Sequence, residues 1–131
     1  MKRIAALTLR QSDRLMYSSF LRGLYKDHGM WETYCFAPVV LLFGFDFDSE
    51  IDLGDGTLRF SSEYDEIEGF AALRCKKRIG SITPYLFLTK GKVKKEAQIP
   101  SFEVKVESLV LLEHDDKSFR VIRTRSLRMG K

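Results

Sequence analysis

The sequence predicts a mainly β (or α+β) domain: an antiparallel β-barrel or sandwich of about six to eight short strands with one N-terminal amphipathic helix. Three observations carry this. From Trp31 onward apolar residues recur with period two, turn signals of Gly, Pro and Asp follow at close intervals, and helical spacing is confined to one early stretch. Ten Phe, five Tyr and one Trp add large flat side chains that favour strands.

In chain order, residues 3–9 form a short apolar first strand. The helix covers 12–27, with Ser12 as its cap, Asp13 in the first turn where the dipole favours an acid, and Gly29 ending it. Met16, Phe20 and Leu24, with Tyr17 and Leu21 beside them, make an apolar stripe opposite Arg14, Ser18 and Arg22. Pro38 divides the next stretch into a strand at 31–36 and a longer one from 39. Along 41–53 Leu41, Phe43, Phe45, Phe47, Ile51 and Leu53 point one way and Asp46, Asp48, Glu50 and Asp52 the other. Gly54-Asp55-Gly56 reverses the chain, and strands follow at 57–64, 67–76, 82–89, 102–113 and 118–125. Pro84 marks the 82–89 strand as an edge or as bulged near its start. No repeat or linker divides the chain, so 1–131 is read as one domain with a disordered basic tail at 126–131.

Composition excludes several classes. With 44 % hydrophobic and 31 % charged residues the chain is not of the disordered type. No apolar run approaches the roughly 20 residues of a transmembrane helix. The start resembles no signal peptide, so Cys35 and Cys75 are expected as free thiols in an intracellular, cytoplasmic setting. Walker, Gly-x-Gly-x-x-Gly and Gly-x-Ser-x-Gly motifs are missing, and neither a cofactor nor a resident metal is expected.

Charge comes in long single-sign blocks beneath a net charge of +4. Residues 46–68 hold nine acids against Arg59 alone, and residues 74–95 hold eight bases and no acid. Such segregation speaks to partners and assembly more than to fold. The acidic comb Asp46, Asp48, Glu50 and Asp52 is a candidate interaction face, its oxygens suited to Mg²⁺ or Ca²⁺ but its spacing that of a solvated strand. The anion- or nucleic-acid-binding candidates are Arg74, Lys76, Lys77 and Arg78 at one end of the 82–89 strand, and Lys92, Lys94 and Lys95 at the other. Arg123, Arg125 and Arg128 complete the set. Tyr17, Tyr25, Trp31, Tyr85 and Phe87 are aromatic residues that could stack on bases.

Two constellations point to chemistry. Glu103-Val104-Lys105 resembles, over three residues, the Glu-x-Lys element of PD-(D/E)xK nucleases, with Asp48, Asp52 or Asp65 as the upstream acid. His28, Cys35, Cys75 and His114 are zinc-ligand types, but no pair has knuckle or finger spacing. The leading expectation is a non-enzymatic binding and assembly module. It would self-associate as a homo-oligomer and contact an anionic partner, either nucleic acid or a phospholipid surface. In size and charge alone this parallels small viral matrix domains, an analogy that would make it virion-associated. The alternatives are a metal-dependent nuclease using Glu103 and Lys105, and an acidic-face adaptor or inhibitor of a basic protein.

Overall fold

A computed structural model describes residues 2–27, 38–90, 93, 98–115 and 118–127. It is mainly antiparallel β with one helix, as the sequence predicts. The strands are β1 (Lys2–Leu9), β2 (Val39–Leu42), β3 (Thr57–Ile67), β4 (Phe70–Cys75), β5 (Tyr85–Lys90), β6 (Phe102–His114) and β7 (Phe119–Ser126), and α1 spans Gln11–Asp27. Their order is β1-β2-β5-β4-β3-β6-β7, and β1 also pairs with β6, which closes six strands into a ring. β6 makes this closure possible because it is long. One edge receives β1 along Val106 to His114, while the other is shared, β3 taking Phe102 to Lys105 and β7 taking Ser108 to His114. The opposed edges are visible where Lys105 O accepts from Arg10 N and the next residue, Val106, donates to Gly56 O.

Cross-strand partners sort the apolar residues onto two faces. Ala5 and Leu7 of β1, Val40 and Leu42 of β2, and Leu73, Leu86, Leu58 and Val104 of the others share one buried cluster to which all six ring strands contribute. The alternate residues Ile4, Ala6, Leu41, Phe70, Phe87 and Val110 form a second cluster on the opposite face. Strands β1, β2 and β5 are thus buried on both faces, which explains the apolar runs at Ile4–Leu7, Val39–Leu42 and Tyr85–Leu88.

The helix joins the larger cluster through Tyr17, Leu21, Leu24 and Tyr25. Spacing puts Met16 in that stripe, yet it is 44 % exposed and Leu15 62 %, so the buried row is turned by one residue. Ser12 is not the cap either: the helix begins at Gln11, and Arg14 N donates to Arg10 O. Asp13, buried, instead accepts from Lys105 N at 2.8 Å and from Arg10 Nε at 2.7 Å, pinning the start of the helix to β6. Tyr25 donates to Leu88 O and Tyr17 to Phe87 O, tying the helix to β5.

Four further expectations need correction or limits. The long strand over 39–53 stops at Leu42, and residues 43–56 are turns and irregular chain. The burial alternation survives, with Phe47 and Leu53 buried and the acids exposed. Its backbone, however, is shaped by Gly44, Gly54 and Gly56 at positive φ and by Asp46, Asp52 and Asp55, each accepting from the amide two residues on. Pro84 lies one residue before β5, an interior strand between β2 and β4, so it removes no ladder bond there. The strand expected at 31–36 falls outside the described residues, and the basic tail at 126–131 does so from Arg128 onward.

Candidate functional site

The basic segment after β4 is built on a short rigid frame. Cys75 N donates to Pro84 O and Lys76 N to Arg59 O, which carries the chain out of the sheet in a fixed direction. Ile79 and Ile82 then exchange both backbone hydrogen bonds around Gly80-Ser81, with Gly80 at φ 60. Lys76, Lys77 and Arg78, all exposed, sit between these anchors. Together with Arg59 they line a groove of about 610 Å³. Asp52 and Asp55 line the same groove, and Leu53, Leu58 and Ile79 supply apolar wall. Hydrogen bonds from Thr57 hold the Asp55 carboxyl below its usual range, aided by Lys105 and Arg59. Cys75, also in the wall, is a free thiol that burial pushes up, so it is a poor nucleophile.

The other candidate cations have intramolecular duties where they are described. Arg74 makes a two-pronged contact with Asp65 at 2.8 and 2.9 Å, which Tyr85 joins from its hydroxyl. This holds the Asp65 carboxyl low. Arg123 lies 3.3 Å from Asp48 and 4.6 Å over the Phe47 ring, and Arg125 donates to Ser49 O. The acidic loop is thereby drawn onto β7. Glu113, largely buried, is flanked by Arg120 at 2.8 Å and Arg3 at 3.5 Å, which keep its carboxyl low. Lys92, Lys94, Lys95 and Arg128 lie outside the described residues. Of the described candidate bases, Lys76, Lys77 and Arg78 alone have neither an ion pair nor a side-chain hydrogen bond, since Arg125, though without an ion pair, donates to Ser49 O.

The aromatic candidates divide sharply. Tyr17, Tyr25 and Phe87 are buried, so none can stack on a base; Tyr85 is half-buried and bound to Asp65, and Trp31 is not described. For the nuclease alternative, Glu103 is exposed and paired with Arg59 at 2.9 Å, while Asp65 and Asp48 are held by arginines. No group of three metal-ligating side chains occurs among the described residues. Cys75 and His114 are buried in separate places, Cys75 in the larger cluster and His114 against Phe70 and Phe119. His28 and Cys35 are outside the description.

Sequence reasoning missed a second concavity. A cavity of about 410 Å³ opens where β1 begins, lined by Lys2, Phe43, Phe45, Asp46, Glu68 and Phe70, with His114 in its wall. Glu68 and Gly69 form the two-residue turn joining β3 to β4, both at positive φ. The Glu-Gly pair ahead of the apolar run Phe70–Leu73 was the available signal, obscured because Asn-Gly or Asp-Gly is the usual form. No helix among the described residues is long and apolar enough to cross a membrane. No model of a known protein family matches the chain, and no curated protein matches it in sequence.

Proposed function

We propose that the protein is a non-enzymatic binding module whose Lys76-Lys77-Arg78 segment engages a phosphate-bearing polyanion. The observation that carries this reading is the contrast between the paired arginines and these three exposed, unpaired cations on an anchored connection. A cation already satisfied within the fold gives little new energy to a ligand. An unpaired one that releases counterions from a phosphate chain gives more.

The test is fluorescence anisotropy with a single-stranded oligonucleotide, in parallel with co-sedimentation on anionic and neutral vesicles. Three phosphate contacts predict a slope of about −2 for log affinity against log salt on a single strand. Reversing all three charges (Lys76→Glu, Lys77→Glu, Arg78→Glu) should abolish the salt-sensitive binding, whereas Arg123→Gln should leave it nearly intact. Equal binding by the triple variant would reject the segment. The arm that binds identifies the polyanion as nucleic acid or lipid headgroups.

A further inference from the structure

We infer that the cavity beside the β3–β4 turn binds a small zwitterion with an apolar side group, of the α-amino-acid type. Its volume of about 410 Å³ is within the range that accepts a small organic ligand. Phe43, Phe45 and Phe70 provide apolar surface, with the Phe43 and Phe70 rings 5.8 Å apart. The charges are the specific feature. Lys2, Asp46 and Glu68 line the same cavity, yet none of them forms an ion pair. Arg3 shares the rim but turns to Glu113.

Unmatched charges of both signs that share a cavity with apolar surface are satisfied together by a ligand that carries both. A carboxylate meets Lys2. An ammonium meets Glu68 and Asp46, and its approach over the Phe rings is favoured by their negative faces. Glu68 adds an independent reason. It stands at φ 48, a left-handed backbone in which Asn or Gly costs less, so a carboxylate is kept at the cavity at the expense of local strain.

Calorimetry with L-phenylalanine and L-leucine as probes tests the site, against 3-phenylpropionate and 2-phenylethylamine, each of which lacks one charge. At least one amino acid should bind, and each half-charged analogue should bind about tenfold more weakly or worse. Lys2→Gln should weaken the amino acid and phenylpropionate but spare the amine. Glu68→Gln should weaken the amino acid and the amine but spare phenylpropionate. Nuclear magnetic resonance of the His114 ring should move on binding. Failure of both amino acids to bind would overturn the inference, as would equal affinity for charged and half-charged probes, indifference to both variants, or an unmoved His114 ring. Because these probes carry no phosphate, failure here is separate from failure at Lys76–Arg78.

Discussion

At the scale of single residues, His114 sets burial against charge. It is 6 % exposed, its ring lies 5.3 Å from those of Phe70 and Phe119, and its Nδ1 has no hydrogen-bond partner. Burial pushes the imidazole below its ordinary value of 6.5, Lys90 and Lys2 push it further, and Asp115 opposes them weakly. The unfolded chain therefore binds a proton before the folded one does. Stability from a neutral His114 is complete above about pH 6.5 and falls as pH drops toward the lower folded value. The depressed carboxylates Asp65 and Glu113 lose their contributions only at lower pH, in the carboxylate range, so the two windows separate. Urea midpoints measured from pH 7.5 to 5.5 should decline, and His114→Phe should flatten that decline. At pH 7 the variant should be neutral or up to about 1 kcal/mol more stable, because it removes an unsatisfied buried nitrogen. A flat wild-type profile would refute the assignment. That His114 is buried was not legible from sequence, since its aromatic neighbours come from β4 and β7 and converge only through the ring.

At the scale of elements, local pattern reveals where strands and the helix exist but not which residue anchors them. Ser12-Asp13 reads as a cap with a dipole partner, yet the polar group that matters is Asp13, through a bond to Lys105 that lies 92 positions away. Asp13→Ala should cost about 1–3 kcal/mol, because it leaves the part-buried Lys105 amide without its charged acceptor. Ser12→Ala should stay within about 0.5 kcal/mol, as for ordinary surface positions. Equal losses measured by denaturation would restore Ser12 as the cap. The segment 43–56 teaches the complementary lesson. Period-two burial is a statement about side chains, and a loop can reproduce it when Asp side chains and glycines supply the backbone bonds that a ladder otherwise would. The β3–β4 turn is the converse, a hairpin whose residue type conceals it. Glu68→Asn should raise stability by about 0.5–1 kcal/mol by relieving the left-handed strain. The same change should remove amino-acid binding. A stabilised variant that still binds would detach Glu68 from the cavity's chemistry.

At the scale of the whole molecule, the segregation of charge along the chain does not translate into equally segregated faces. Folding brings Arg74 to Asp65, Arg59 to Glu103 and Arg123 to Asp48, each joining segments that the linear blocks keep apart. These pairs depend on strand order and register, which the linear sequence does not specify. Exposed acids such as Glu50, Glu63 and Glu66 remain, and among the described residues Lys76–Arg78 is the one run of three consecutive exposed cations without an ion pair. On the proposed reading, Lys76–Arg78 is also the densest basic element among the described residues for charge-driven association between copies, so the two uses would compete. Light scattering should then show multimers at low salt that dissociate as the screening length falls below about 10 Å. An oligonucleotide that binds the segment should dissolve them at constant salt. Reversing Lys76, Lys77 and Arg78 should yield a monomer throughout, whereas Arg123→Gln should weaken the clamp on Phe47 and lower stability without changing the mass. Multimers that persist in the triple variant, or that grow with salt, would show that apolar surface drives assembly. The exposed Leu15 and Met16 on α1 would then be the first positions to substitute.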